Sequence, residues 1–357
     1  MKITIVNRHR EDTLGGSELQ CDFIATELTR RGYDVTYVVP GGEKEKYHTT
    51  YNVITCMQNS VEIEASIVKT NPDIVYWRFN KNFFFDTVRK LKKHPCKFTF
   101  SASSAYDVNW FLYKKSVPFR KNIPRFFKSI KEQMGMRYVD AVIVNNESHL
   151  NKLPVKHQTF IPNGMTDEVE EFSWDKPYCA WIANIKKIKR PELFIDLSKV
   201  MKGIGIDCLM VGDIQERGYL WINNRENLPS NLHYLGQKSL KEVNGILKNS
   251  MIHVHTCLAE GFPNVFIQAW LQSVPSVSFG FDPSNYIKNN NLGFTADENW
   301  DLFVEQIMQL INNPEKRNKL GSNANTFALE MFQIEKSVTK LENVFSQLLN
   351  HNTSRKV

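Results

Sequence analysis

Residues 251–270 read MIHVHTCLAEGFPNVFIQAW, and the order of residue types in them decides the class of fold. Met251–His255 is a short apolar run of strand length. A loop follows, closed by Glu260-Gly261-Phe262, and Pro263 then opens a helix in which Asn264 and Gln268 lie one turn apart on one side. A buried strand that runs through a loop into a helix N-terminus is half of a βαβ unit.

Outward from it the same rhythm fills most of the chain. Ile3–Asn7, Asp34–Val39, Asp73–Phe79, Lys97–Ala102, Asp140–Asn145 and Thr159–Pro162 read as buried strands, with helices over Ser17–Arg31, Phe83–Lys93 and around Arg125–Arg137. After Ile161-Pro162-Asn163-Gly164 and the acidic stretch Thr166–Lys176, strands recur at Tyr178–Ala183, Ile206–Val211, Leu232–Leu235, Met251–His255 and Ser276–Phe279. One open sheet does not carry so many strands. The reading is α/β with two doubly wound domains, 1–165 and 166–332, and a helical end, 333–357, returning to the first. In such sheets ligands sit at the carboxyl ends of strands, and two facing domains put the natural site in the cleft between them.

Composition narrows the class. The chain of 357 residues is 42% hydrophobic and 23% charged, which excludes a largely disordered protein. No run approaches the ~18 apolar residues of a spanning helix, and the apolar part of MKITIVNRHRED is too short for a signal-peptide core. The expectation is a cytoplasmic protein. Six scattered cysteines without a C-x-x-C pair read as reduced thiols, and a zinc site is disfavoured. A net charge of +7 is modest for a nucleic-acid binder, so its location matters more than its total.

Three loops carry candidate chemistry. Gly15-Gly16-Ser17-Glu18 precedes the first helix, where glycines permit close approach to a ligand and the helix end offers N–H groups. Ser17 with Gln20 fits a capping box, and a plain capped turn is the competing reading. The loop lacks G-x-G-x-x-G and an acid ending the next strand, so a nicotinamide site is poorly supported. Next, Asn184-Ile185-Lys186-Lys187-Ile188-Lys189-Arg190-Pro191 sets four cations after the second domain's first strand, suited to a diphosphate or simply solvated. Third, Glu260 through Gln268 joins a carboxylate, a glycine and the helix-opening amides of Asn264 and Val265.

With these residues the sequence resembles the family 4 retaining glycosyltransferases of GT-B architecture, whose signature is a Glu-x7-Glu pair around E-G-F-P-N-V. Gly15–Gly16, IPNG, Leu209–Asp213, His233–Gln237 and the helical end extend the resemblance over nearly the whole chain. It implies that Glu260 contacts the donor sugar, and that Gln268, at the second Glu position, holds the ribose. Gly261, Phe262, Pro263, Asn264 and Val265 would face sugar and diphosphate, Lys189 would clamp the diphosphate and Gln237 would meet the base. Gly15 and Gly16 complete the donor set. The expected catalytic residues are Glu260 and Lys189. Asn184 stands where relatives carry an Arg. The strand-end His near the donor sugar is also missing, leaving Ser103 and Asp107 on the acceptor side.

The activity implied is transfer with retention from a nucleotide-sugar, UDP-linked, to a glycan or lipid-linked acceptor in surface polysaccharide biosynthesis. No D-x-D triplet appears, so no metal is expected. His253 and His255 alternate on one strand and read as core histidines before ligands. A nucleotide-sugar epimerase and a non-catalytic GT-B binding module stay open as alternatives. Finally, Phe111–Arg137 sets Lys114, Lys115, Arg120, Lys121, Arg125 and Lys128 among Phe126 and Phe127. That mixture suits a helix on an anionic membrane surface, each cation adding about 1 kcal/mol, in preference to nucleic acid. The competing reading is a solvated helix with its phenylalanines in the core.

Overall fold

The computed structural model describes residues 1–13, 15–103, 105–108, 119–257 and 262–350, and of 105, 106, 119–122, 124 and 125 the backbone only. Two compact units emerge: Met1–Gly164 with the chain from Ile334 onward, and Met165–Gln333.

The first unit runs β1 (Lys2–Val6), α1 (Gly16–Arg30), β2 (Asp34–Pro40), β3 (Asn52–Cys56), α2 (Ser60–Lys69), β4 (Ile74–Trp77), α3 (Phe84–Leu91), β5 (Lys97–Ala102), the short α4 (Ala105–Val108), α5 (Phe119–Gly135), β6 (Ala141–Val144) and β7 (Gln158–Phe160). Its strands form one seven-stranded parallel sheet in the order β3-β2-β1-β4-β5-β6-β7. Strands covered on both faces read as unbroken apolar runs, and Ile74-Val75-Tyr76-Trp77 is buried throughout. Phe84 at the start of α3 packs with Trp77, Phe98 and Phe100 in the core, their rings meeting edge-on or tilted.

The second unit holds β8 (Tyr178–Ile182), α6 (Pro191–Met201), β9 (Asp207–Val211), β10 (Leu232–Tyr234), α7 (Leu240–Lys248), β11 (Ile252–His255), α8 (Asn264–Leu271), β12 (Ser276–Ser278), α9 (Tyr286–Asn290), β13 (Gly293–Thr295), α10 (Trp300–Asn312) and α11 (Pro314–Met331). Its six strands are parallel in the order β10-β9-β8-β11-β12-β13. Trp181, Phe194 and Phe303 fill one face, and Ile246, Leu247 and Ala269 fill the other. In both units the strand order reverses beside the first strand, between β1 and β4 and between β8 and β11. Ligand crevices open at such switch points.

The last helix, α12 (Ile334–Asn350), lies along α1 in the first unit. Arg31 ties the two, bonding Glu27 at 2.7 Å, the Glu335 carbonyl at 2.7 Å and the Glu342 carboxylate. Ser337 Oγ donates to the Pro162 carbonyl at 3.1 Å.

Three expectations need correction. The capping box of Ser17 and Gln20 does not form, because Gly15 is the N-cap and no side chain caps it. Gln20 instead exchanges two bonds with the Gly164 backbone, Nε2 to O at 2.7 Å and N to Oε1 at 2.9 Å, while Ser17 Oγ accepts from Asn7 Nδ2. A buried amide gains more from a backbone that lacks ladder partners than from an exposed helix end. Second, the helix expected around Arg125–Arg137 is α5, which starts earlier, at Phe119, and ends at Gly135, with Pro124 inside it. Third, β3, α2 and β13 are additional elements; Asn59 caps α2 by accepting from Val61 N and Glu62 N.

Candidate functional site

In the second unit the loop after β8 is laid along the chain leaving β9. Ala183 N donates to Val211 O, Ile185 N to Asp213 O at 2.7 Å, and Gln215 N returns to Ile185 O. Gly212 makes this possible: at φ +147° a Cβ there would sit 1.9 Å from the Ala183 carbonyl oxygen. The turn bearing Lys189 is held from beneath. Buried Trp181 donates Nε1–H to Thr256 Oγ1 at 2.8 Å, and that hydroxyl donates to the Lys189 carbonyl at 2.6 Å. The first residue after β11 therefore fixes the half-buried Lys189 turn at the switch point. Pro191 is the first residue of α6, as its missing N–H favours.

The other three cations are placed differently. Arg190, in the left-handed region at φ 51°, lays its guanidinium 4.8 Å over the Phe279 ring. Lys186 Nζ reaches Gln215 Oε1 at 3.5 Å, and exposed Lys187 anchors its backbone N–H on Glu216. Asn184 is half-buried at the start of the loop.

Glu260 and Gly261 lie outside the described residues. Beyond them Pro263 caps α8, and Asn264 and Val265 form its first turn at the dipole's positive end. The Phe262 ring packs on Phe332 and Tyr286, so this residue has a core role whatever its backbone faces. Gln268 is only 7% exposed, and its Nε2 donates to Asn244 Oδ1 at 3.0 Å. Asn244 in turn holds the Glu168 carbonyl at 2.8 Å, so the amide pair ties α8, α7 and the acidic segment together. Gln237 is exposed after β10. His253 and His255 are buried, each with Nδ1 on a serine of β12 and its ring on Phe266, which is core packing as read. Among the described residues no group of three or more His, Cys, Asp or Glu is arranged to hold a metal ion.

The first unit has its own pocket at the switch between β1 and β4, about 320 Å³ in volume. Ser103 and Asp107 line it together: Asp107 Oδ2 accepts from Ser103 N at 2.9 Å and from its Oγ at 3.3 Å. Ser17 and Glu18, at the start of α1, form another part of the wall. The Glu18 carboxylate folds back over Gly15, where a Cβ would meet it at 2.3 Å, and Gly16 opens the helix. The remaining wall is Asn7, Arg8, Arg78, Phe79, Asn80 and Ser101. Sequence reasoning named none of these six as a site residue, although Arg78, Phe79 and Asn80 follow directly on the apolar run of β4.

Behind this pocket the loop after β1 is pinned by a buried polar cluster. His9 Nε2 meets the Tyr51 hydroxyl at 2.9 Å, that hydroxyl donates to Asp22 at 2.5 Å, and Arg10 pairs with Asp22 at 3.0 Å. Burial holds His9 below the ordinary imidazole range, against the opposing pull of Asp22. Unfolding lets the ring take a proton near pH 6.5, so this group's stabilisation is present above that pH and is lost as pH falls below it. Thermal melts from pH 7.5 to 5 should show Tm dropping with acid, and His9→Gln should flatten that slope. An unchanged slope assigns the acid sensitivity to other groups.

The basic segment is partly described. Lys114 and Lys115 lie outside the described residues, as do the side chains of Arg120, Lys121 and Arg125. On α5 the apolar Ile123, Phe126, Phe127, Ile130 and Met134 are all exposed, Phe127 by 65%, at spacings that set them along one face. Lys128 bonds Asn82, and Lys131 pairs with Asp86 at 2.6 Å. Gly135, where a Cβ would press on Phe84 at 2.7 Å, seats the end of the helix against α3. No helix among the described residues is long and apolar enough to cross a membrane.

Residues 166–327 match the sequence profile of the family described as glycosyl transferases group 1. Over 193 residues the chain is 28% identical to an uncharacterized glycosyltransferase of Methanocaldococcus jannaschii, in an alignment covering 53% of this chain and 53% of that protein. The chain thus spans about half the length of the curated relative it matches. Among solved structures, sucrose-phosphate synthase from Thermosynechococcus elongatus is similar at TM-score 0.75 and 13% identity, over 98% of this chain and 100% of that one. HepE from Anabaena, solved in complex with UDP, is similar at TM-score 0.74 and 16% identity, over 97% and 100%. At these identities the likeness is one of fold, and the fold is GT-B: two Rossmann-like units, each on a parallel sheet.

Proposed function

We propose that the chain is a retaining glycosyltransferase that needs no metal and moves a sugar from a UDP-linked donor to a glycan or lipid-linked acceptor. The observation that carries this is the switch point of the second unit, inside the stretch matched by the group 1 profile. There the Lys189 turn, pinned through Trp181 and Thr256, and the amide-bearing start of α8 follow neighbouring strands. A cation and a helix N-terminus at adjacent strand ends suit a diphosphate, whose leaving charge they stabilise. Glu260 serves the sugar, Gln268 Oε1 the ribose and Gln237 the base. HepE's complex with UDP supports the choice of nucleotide.

The test is a thermal-shift and turnover series with UDP-sugars. A true donor at 100 times its Kd raises stability by about 2.7 kcal/mol, and sugar passes on only when an acceptor is present. Conversion of donor without acceptor means an epimerase. No shift with any nucleotide leaves a binding module.

The acceptor work is placed at an anionic membrane surface, in surface polysaccharide biosynthesis. Support comes from the exposed apolar face of α5 within a basic segment, a combination suited to the headgroup boundary. Co-sedimentation with phosphatidylglycerol vesicles should be strong at low salt and fade as salt screens the charge. Phe126→Ser with Phe127→Ser should weaken it roughly tenfold or more at unchanged Tm, because each ring leaves water only on docking. A fall in Tm instead would mean that the two rings stabilise the fold.

A further inference from the structure

The pocket of the first unit contains a charge that donor chemistry leaves unused. Arg78 is only 8% exposed, and its guanidinium cannot lose its proton. Nη2 donates to Asn163 Oδ1 at 3.0 Å and the Tyr76 hydroxyl lies beside it, yet Nε finds no partner among the described residues. No carboxylate there lies within ion-pair distance of it; Asp107 acts on it only through space, its Oδ2 accepting from Ser103. A buried cation left in this state costs stability unless something else neutralises it. Arg8 brings a second guanidinium to the same wall, exposed and without an ion pair among the described residues. Its backbone is fixed, since the Tyr37 hydroxyl donates to the Arg8 carbonyl at 2.8 Å.

The rest of the lining refines the ligand. Glu18 and Asp107 are carboxylates, while Asn7, Asn80, Ser17, Ser101 and Ser103 both donate and accept. A bare anion would meet two acids here. A ligand that pairs an anion with several hydroxyls suits both halves of the wall, because hydroxyls donate to carboxylates while guanidinium forks take phosphate oxygens.

We infer that this pocket binds a phosphate-bearing acceptor, a sugar or polyol phosphate, with Arg78 and Arg8 on the phosphate and Asp107 and Glu18 on hydroxyls. The assignment of the ligand as acceptor rests on the transferase reading; the phosphate site itself does not.

Calorimetric titration of the full chain with glycerol 3-phosphate, glycerol and UDP tests it. Glycerol 3-phosphate should bind saturably and glycerol should not. Arg78→Gln should weaken glycerol 3-phosphate at least tenfold, Arg78→Lys should restore part of the loss, and UDP affinity should stay within twofold. Arg8→Gln, at an exposed position that does not threaten folding, should weaken it several-fold. Without phosphate, Arg78→Met should melt no earlier than the unsubstituted chain, whereas an arginine needed only for structure would lower Tm. Absent binding, binding indifferent to both arginines, or UDP affinity falling in step overturns the inference. Glycerol 3-phosphate bound by a chain that ignores UDP removes the donor reading and leaves this site standing.

Discussion

Lys189→Ala is expected to cut sugar transfer by about 10²–10³-fold, the range seen when one preorganised donor to developing charge is lost. Among the four cations of its loop, Arg190 is stacked on Phe279 and Lys187 is exposed with its backbone tied to Glu216. Lys189 is the residue of that turn whose backbone carbonyl is anchored from the end of β11, so its backbone has a fixed place beside the strand that leads to α8. The side chain is half-buried and the anchoring bond uses its backbone carbonyl, so Tm should move by no more than about 2 °C. Steady-state kinetics with a matched UDP-sugar checks the claim. A loss below tenfold would place the diphosphate elsewhere.

Gly212→Ala should be among the most damaging small substitutions in the second unit. The new methyl would arrive 1.9 Å from the Ala183 oxygen and 2.6 Å from its carbon, both backbone atoms, at a φ of +147°. Neither partner can rotate away, so the strands must part, at roughly 3 kcal/mol or more. On that scale the second unit's Tm falls by roughly 6–12 °C. The strain lands on the loop that leads to Lys189, so UDP affinity should fall as well. Gly203→Ala, where the added atom meets nothing within 4 Å, is the control and should be almost silent. Equal melting of the two variants would refute the close approach.

The parallel sheets were legible because buried strands such as Ile74–Trp77 and Tyr178–Ile182 are unbroken apolar runs. β3 escaped because its partly buried residues lack that signature, although Asn59 ahead of Val61, Ile63 and Ile67 was a readable cap for the helix after it. Site loops were legible where a residue type has one outstanding physical use, as with Pro191 opening α6. Gln20 and Gln268 were not: an amide serves a cap, a ribose or a backbone equally well, and only tertiary neighbours choose. Arg78 was invisible for a related reason. Its burial depends on Asn163, brought close from 85 positions away.

The pairing of α12 with α1 sets an order of events during synthesis. When Gly164 leaves the ribosome the first sheet has all its strands, yet the face of α1 that will meet α12 is uncovered, since its partner is about 170 positions further on. Chains grow at roughly 5–20 residues per second, so this face stays open for about ten seconds or more, while the second unit emerges whole. The second unit can therefore close first, and the first one only when Ser337 reaches Pro162 and Glu342 reaches Arg31. Nascent chains stalled before residue 334 should show a protease-sensitive first unit beside a resistant second one, and release of the full chain should protect both.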